Sequence, residues 1–328
     1  MSVRIGVSFD GFVTTGEAVA LAQRAVGAGA RSLWMAEHLG YREAIATCMA
    51  FALKAPGAAL VPTAVSPYLW HPMPTAMAMA TLDEVAPGRA AIAIGAGNPL
   101  FLAESGRAVE KPVRAMREFA QALRALWSGE AVHIDGEFVR LAGARLAFKP
   151  SAPMPIYIAA IGPDMLRLAG RIGDGVVLSA GLSTDSVRRS LALCAEGARK
   201  DNRDLRNFRR AGYVFLGASH NPRQARDAVR EKLAFVMRNK FLGANITASG
   251  IAVDQEAVIA AIARRDMAKA AALVPDEAVE AFAIAGTPQH CGKRLRDFID
   301  AGLNEPVLGL LGSPENCLLA LDVMRELT

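Results

Sequence analysis

The stretch 153-PMPIYIAAIGPDMLRLAGRIGDGVVLSAG-181 decides the fold. Ile156–Ala160 is a short apolar run with the length and content of a buried strand. Gly162-Pro163 ends it, and Pro163 suits the first position of a helix, where a missing N–H costs nothing. Met165, Leu166, Leu168 and Ala169 then share one helical face. Gly173-Asp174-Gly175 breaks that helix, and Val176–Leu178 begins a second buried strand. Strand, tight turn, short helix, turn, strand is one βαβ unit, the building block of a parallel sheet.

The same rhythm extends in both directions. Upstream, strands are expected at Ile5–Phe9, Ser32–Ala36, Ala58–Val65 (interrupted by Pro62, hence irregular) and Arg89–Ile94. Helical patterns at Glu17–Ala28, Ala44–Leu53, Thr75–Val85 and Val113–Trp127 alternate with them. Residues 129–152 read as an excursion with short extended pieces at Ala131–Ile134 and Phe138–Leu141. Downstream, Thr184–Gly197 and Pro222–Met237 are expected helices, with a strand at Phe208–Leu216 between them. Phe241–Pro275 shows two Ala-rich helical pieces and no strand, an inserted helical excursion. Phe282–Ala285 is a short extended piece. Helix Pro288–Ala301, strand Pro306–Leu311 and helix Pro314–Glu326 close the chain. Eight apolar strands alternating with helices predict an α/β protein of the (β/α)8 TIM-barrel class, with a doubly wound open sheet as the alternative. No composition break marks a boundary, so residues 1–328 are expected to form one domain carrying the excursion at about 241–275.

Bulk composition narrows the function classes. The 328 residues are 52% hydrophobic with a mean hydropathy of +0.23, enough for a large core, yet no apolar run is long enough to span a membrane. The N-terminus lacks the charged-then-apolar layout of a secretory signal, so a cytoplasmic location is expected. The net charge of +5 comes without a basic stripe interleaved with aromatics, which disfavours nucleic acid and fits an anionic small molecule better. Cys48, Cys194, Cys291 and Cys317 are far apart and are expected to be free thiols.

In a parallel barrel, chemistry gathers where strands end and loops begin. Those ends are Asp10-Gly11, Glu37-His38, Thr63–Ser66, Gly95–Asn98, Ala160–Pro163 and Ser179–Gly181. Most are small residues, which let backbone come close to a broad planar ligand but also simply make tight turns. Free N–H groups at the start of the helix at Pro163 favour an anion, although Asp164 already places negative charge there. Gly95-Ala96-Gly97 is not a dinucleotide fingerprint, because position 100 is Leu and no helix is expected directly after it. His38 is the candidate acid or base, beside Glu37 and with an unperturbed pKa near neutrality; the other reading is a histidine that hydrogen-bonds in the pocket wall. His71, in a loop with three prolines, reads as structural. No His or carboxylate trio has metal-ligand spacing, and no G-x-S-x-G elbow occurs. A chain poor in catalytic side chains, with a smooth barrel mouth, implies that a cofactor does the chemistry.

Several motifs together resemble the bacterial-luciferase-like superfamily, and within it the deazaflavin-dependent branch of the methylenetetrahydromethanopterin reductases. They are Ile5–Gly11, WMAEHL at 34–39, SPYLWHP at 66–72, LDEVAPGRAAIAIGAG at 82–97, LWSGEAVHIDG at 126–136 and Ile156–Gly175. Phe282–Gly286 with the helix after it resembles the family's C-terminal signature. The resemblance implies a (β/α)8 barrel with insertions and a cofactor across its C-terminal mouth. Coenzyme F420 is implied first and FMN is the alternative. The positions near the reactive ring would be His38 and Gly95–Asn98, those along the ribityl-phosphate arm Ala159–Asp164 and Ser179-Ala180. A cis peptide bond under the ring would fall within Thr63–Ser66. The cofactor contacts expected on this basis are Asp10, Glu37, Thr63, Ala64, Val65, Ser66, Gly95, Gly97, Asn98, Ala159, Ala160, Ile161, Gly162, Pro163, Ser179 and Ala180, with His38 catalytic or pocket-shaping. A small-molecule substrate and a homodimer are implied, and a partner flavin reductase if the chain is a monooxygenase. Two departures stand against a sugar-phosphate dehydrogenase. The acidic residue expected after the glycine loop is replaced by Asn98-Pro99-Leu100. The lysine expected after the sixth strand is replaced by Gly181-Leu182.

Overall fold

The computed structural model describes residues 3–327. Its strands are β1 (Gly6–Phe9), β2 (Ser32–Ala36), β3 (Ala59–Val65), β4 (Ile92–Ile94), β5 (Val132–Asp135), β6 (Arg140–Ala144), β7 (Ile156–Ala160), β8 (Gly175–Leu178), β9 (Arg209–Ala218), β10 (Ile284–Gly286) and β11 (Glu305–Leu310). Hydrogen-bonded neighbours run β1-β2-β3-β4-β7-β8-β9-β11 and back to β1, parallel throughout, which closes an eight-stranded barrel. The open doubly wound alternative is thereby excluded. The unit at 153–181 supplies β7, the helix Pro163–Ile172 and β8, paired from Tyr157↔Gly175 to Ala160↔Leu178.

Local chemistry sets the helix starts. Thr14 caps helix Thr15–Gly27 through a reciprocal box with Glu17, and Asn221, Thr287 and Ser313 cap helices whose first residue is proline. His71 caps helix Pro72–Val85, its Nδ1 accepting from Met73 N at 3.2 Å, which is the structural role its loop position implied.

Four readings from sequence change. The fourth strand is shorter than Arg89–Ile94, touching its neighbour only by a Leu60–Ala90 bridge before Ile92. A six-residue helix, Pro99–Glu104, does start just after the glycine loop, because Pro99 can open a helix two residues beyond Gly97. The excursion near 241–275 keeps its two Ala-rich helices, Gln255–Ala263 and Met267–Ala272, and adds before them a 3-10 turn (Lys240–Leu242) and a helix, Gly243–Ala248; Gly250 and Arg265, both at positive φ, separate the three helices. The extended piece begins only at Ile284, since Phe282 ends helix Asp276–Phe282, and it pairs along the far end of β9 from Ile284↔Leu216 to Gly286↔Ala218. The excursion at 129–152 folds as the antiparallel hairpin β5–β6 outside the ring.

Two apolar cores follow from the alternation of side chains along each strand. The larger lies between the ring and its helices. The smaller fills the barrel with Trp34, Val61, Ala91, Ala93, Tyr157, Val177, Ala211 and Val307. Beneath it, at the N-terminal end of the strands, runs a buried polar chain. Trp34 Nε1 donates to Ser32 Oγ (2.8 Å), Ser32 donates to Glu305 Oε1 (2.8 Å), Tyr157 donates to Glu305 Oε2 (2.6 Å), and Arg209 donates to the Tyr157 oxygen (3.0 Å). Each link of this chain pairs a donor with an acceptor, and the Glu305 carboxylate is engaged at both oxygens, so its charge is not orphaned.

Helices Pro163–Ile172 and Thr184–Lys200 touch backbone to backbone: a methyl on Gly197 would lie inside the Arg167 carbonyl, and one on Gly170 inside the Cys194 carbonyl. Gly197→Ala is therefore expected to destabilise by about 1–3 kcal/mol through overpacking. Gly16→Ala, at a helical position where a methyl meets nothing within 4 Å, should be neutral or stabilising by up to about 1 kcal/mol. Denaturant unfolding of the two variants checks both signs.

Candidate active site

Because the ring strands are parallel, their C-terminal ends open at one mouth. The floor of this mouth is made of small residues from adjacent strands. A Cβ built on Gly95, just past β4, would lie 2.8 Å from Ala64 Cβ and 3.1 Å from Ala159 Cβ. Three residues of β3, the β4 end and β7 thus meet with no room for one more methyl. Ala64, Ala159, Ser179 and Tyr213 lie at this end and are only half-buried, so the mouth is hollow rather than filled. The peptide bond Thr63–Ala64 is cis, inside the expected segment. The register between β3 and β4 shifts there, so that Val65 lies opposite Ile94.

His38 stands at the end of β2. Its Nδ1 lies 2.8 Å from the Asp10 carbonyl oxygen, which can only accept, so Nδ1 carries the proton and a neutral ring keeps its lone pair on Nε2. Burial pushes His38 below the usual histidine range; the charges of Lys232 and Arg238 push the same way, while the Asp10 carbonyl and carboxylate pull against them. The ring packs beside Phe12 (centroids 5.2 Å apart), which also meets Tyr41 (4.6 Å).

The two carboxylates at these strand ends are already engaged. Asp10 Oδ2 accepts from Lys232 Nζ at 2.8 Å and Oδ1 from Phe12 N at 3.1 Å. Burial works to raise the Asp10 carboxyl, but the Lys232 hydrogen bond and charge hold it below its usual value. Glu37 turns away to accept from Ala44 N (2.8 Å) at the start of helix Ala44–Lys54, and burial raises its pKa.

The remaining expected residues divide by orientation. Val65, Ala160 and Ala180 bury their side chains in the core between ring and helices, leaving backbone at the mouth; Val65 O accepts from Gly95 N at 3.1 Å. Thr63 donates to Val61 O (3.0 Å), Ser66 to Ala96 O (3.1 Å) and Ser179 to Ala180 O (3.1 Å). Gly97 takes a positive φ of 87° and packs under Leu102. Asn98 and Ile161 are half-buried at the rim. Gly162 precedes Pro163 at the helix start with extended backbone, no side-chain cap, and open space where a Cβ would be. Its first N–H groups thus lack the hydroxyl or amide cap that Thr14, Ser183, Asn221, Thr287 and Ser313 give their helices.

Sequence reading missed the roof. Helix Pro222–Met237 and the turn after it cross the mouth. Gly181, past β8, faces Leu233, Val236 and Leu242. Lys232 Nζ sits 4.6 Å from the Phe12 ring centroid, and the Arg238 guanidinium lies between Phe235 (3.6 Å) and Phe101 (5.2 Å). Lys232 is 222 residues from Asp10, and nothing local marks it; the only signal was a charged helical face with two phenylalanines nearby.

Two clefts of about 400 and 560 Å³ lie at the other end of the barrel. The first is walled by Arg4, Arg31 and Arg89, where helix C-termini gather; Arg89 donates to the Ala58 carbonyl. In the second, Asp174 pairs with Arg124 and Arg203. Neither contains a free base or nucleophile.

Comparison with known proteins agrees with the architecture. The sequence pattern described as luciferase-like monooxygenase matches residues 5–305. The chain is 32% identical over 280 residues to the 5,10-methylenetetrahydromethanopterin reductase of Archaeoglobus fulgidus, covering 84% of each protein. It is 30% identical over 265 residues to the F420-dependent glucose-6-phosphate dehydrogenase of Nocardia farcinica, covering 77% of this chain and 73% of that one. The structure of the coenzyme F420 dependent tetrahydromethanopterin reductase from Methanopyrus kandleri superposes with a TM-score of 0.89 at 24% identity, over 99% of this chain and 98% of that one. No helix among the described residues is long and apolar enough to cross a membrane. With the pattern spanning nearly the whole barrel and the same ring closed in the structure, the chain belongs to the luciferase-like monooxygenase family and is an enzyme.

Proposed function

We propose that this enzyme transfers a hydride between coenzyme F420 and a small organic substrate, in the manner of the methylenetetrahydromethanopterin reductases it resembles. The observation that carries the reading is the floor of Gly95, Ala64 and Ala159, a flat cradle that one methyl group would close. These residues would receive a planar ring, and the uncapped helix start at Gly162-Pro163 would receive an anionic arm. When bound, F420 supplies the carbon that gives or takes the hydride. The chain's own residues supply the setting. The floor and the phenylalanines of the roof exclude water and hold the substrate against the ring face. His38 Nε2 offers the acceptor for a proton or a polar group on the substrate. Leu182, where a sugar-phosphate dehydrogenase would carry lysine, is 4% exposed, which supports a substrate other than a sugar phosphate.

An FMN-dependent monooxygenase would use the same floor, and titration separates the two. The purified protein is expected to bind F420 at micromolar concentration or tighter and FMN about tenfold or more weakly, read by fluorescence. Binding of neither removes the proposal; tighter FMN binding, with oxygen consumed when reduced FMN is supplied, replaces it by the monooxygenase. Gly95→Ala should weaken F420 binding about tenfold or more, while Ala159→Gly, which only widens the floor, keeps it within about threefold. His38→Asn should lower turnover by about 10²–10⁴ with F420 affinity nearly unchanged. Because only the neutral ring accepts, wild-type activity should fall with decreasing pH along a limb below about 6.5, the ordinary histidine value, and the limb should vanish in His38→Asn.

A further inference from the structure

Lys232 reaches the site from outside the ring. It belongs to helix Pro222–Met237, yet its ammonium sits 2.8 Å from Asp10 Oδ2 and over the Phe12 ring. Asp10 is the residue whose carbonyl oxygen accepts a hydrogen bond from His38 Nδ1–H, 2.8 Å away. Phe12, beside His38 and under Lys232, donates its N–H to the other Asp10 oxygen at 3.1 Å. The end of β1 is therefore gripped at both carboxylate oxygens of the residue whose carbonyl faces the imidazole. Lys232 is about one-fifth exposed and Asp10 about one-third, so the pair is sheltered on the mouth side without being sealed from solvent.

We propose that Lys232 is a positioning residue for His38: by clamping the Asp10 carboxylate from the roof, it fixes the carbonyl that holds the imidazole in its Nδ1–H tautomer and leaves Nε2 as the acceptor. This rests on the reading of His38 given above, but it makes a claim about the chain that holds without any cofactor. The clamp also ties the roof to the floor, since the same helix packs Leu233 and Val236 against Gly181 on the far side of the mouth. The charged and titratable groups facing His38 are Asp10 at the end of β1, Lys232 and Arg238 from the roof, and Tyr41 in its own loop. Removing the Lys232 charge takes away one group that opposes protonation of His38 and leaves the Asp10 carboxylate, which favours it, without its partner. Both changes move His38 titration upward.

The test uses the full-length apoprotein and Lys232→Met, Lys232→Arg and Asp10→Asn variants. Nitrogen-15 NMR of the imidazoles, with His38 assigned by its disappearance in His38→Asn, reads tautomer and titration directly. Wild type is expected to show a single neutral Nδ1–H form. Lys232→Met should show a mixture of tautomers and a His38 titration displaced upward by about half a pH unit or more, and Lys232→Arg should restore both. Asp10→Asn, which keeps the carbonyl but loses the clamp, should also loosen the tautomer, and it decides the matter if Lys232→Met does not fold. A folded Lys232→Met protein with the wild-type tautomer and titration would overturn the proposal, leaving Lys232 as a fastener of the helix. In F420-loaded enzyme, kcat should fall about tenfold in Lys232→Met with cofactor affinity unchanged. Wild type with no turnover on F420 or FMN, alongside the expected NMR result, would sink the functional reading and leave the clamp standing.

Discussion

A ring of eight parallel strands has an interior just wide enough to be filled by side chains, and everything here depends on how unevenly this one is filled. At the N-terminal end the bulk is high: Trp34 and Tyr157 stack edge to face at 4.8 Å over the Glu305 chain of hydrogen bonds. At the C-terminal end most inward positions shrink to glycine, alanine and serine, with Tyr213 as the large exception. The ring cannot collapse onto that hollow, because strand spacing is set by backbone hydrogen bonds and by the plug below. Space for a ligand is thus a by-product of residue size at a few strand ends. It is kept open by packing elsewhere, which is why an added methyl on Gly95 has nowhere to go.

The electrostatics of the hollow follow the same economy. Of the carboxylates at its strand ends, Asp10 is spent on Lys232 and Glu37 on the start of a helix. Two cations, Lys232 and Arg238, come from the roof, and the Arg238 guanidinium is stacked between phenylalanines, where burial lowers its pKa. A histidine placed among them is held neutral. That arrangement is consistent with the reading proposed above, in which a cofactor would carry the electrons and one acceptor nitrogen would suffice.

The barrel was legible because its signals are local and repeated. Apolar runs of strand length, prolines at helix starts and glycines at turns occur in one βαβ unit after another, and each reinforces the next. The floor was legible for a related reason: a strand end made of small residues stays small in any fold, and parallel strands bring such ends together. What escaped was decided by tertiary contact. Nothing near Lys232 distinguishes it from Arg226 or Arg230 on the same helix, yet it meets Asp10 while they turn toward Asp276. The six-residue helix at Pro99 escaped because its start is marked by proline alone, with no apolar period long enough to declare it. Val65, Ala160 and Ala180 show the limit of naming a strand end as a site: alternation sends their side chains to the helix-side core, and only their backbone reaches the mouth.

Floor and roof therefore differ in how freely they can vary. The floor is fixed by close contacts between neighbouring strand ends, where a methyl added to Gly95 would lie 2.8 Å from Ala64 Cβ and 3.1 Å from Ala159 Cβ, so it has little room to vary. The roof is a helix tied down by an ion pair, stacked rings and a few leucines, and its side chains can change without disturbing the ring. Asn98 and the buried Leu182 stand at the rim between the two, in the places where the resemblance to sugar-phosphate dehydrogenases implied charged residues. On the reading proposed above, selection among substrates would fall to the rim and roof, while the rigid strand ends would seat the ring of the cofactor.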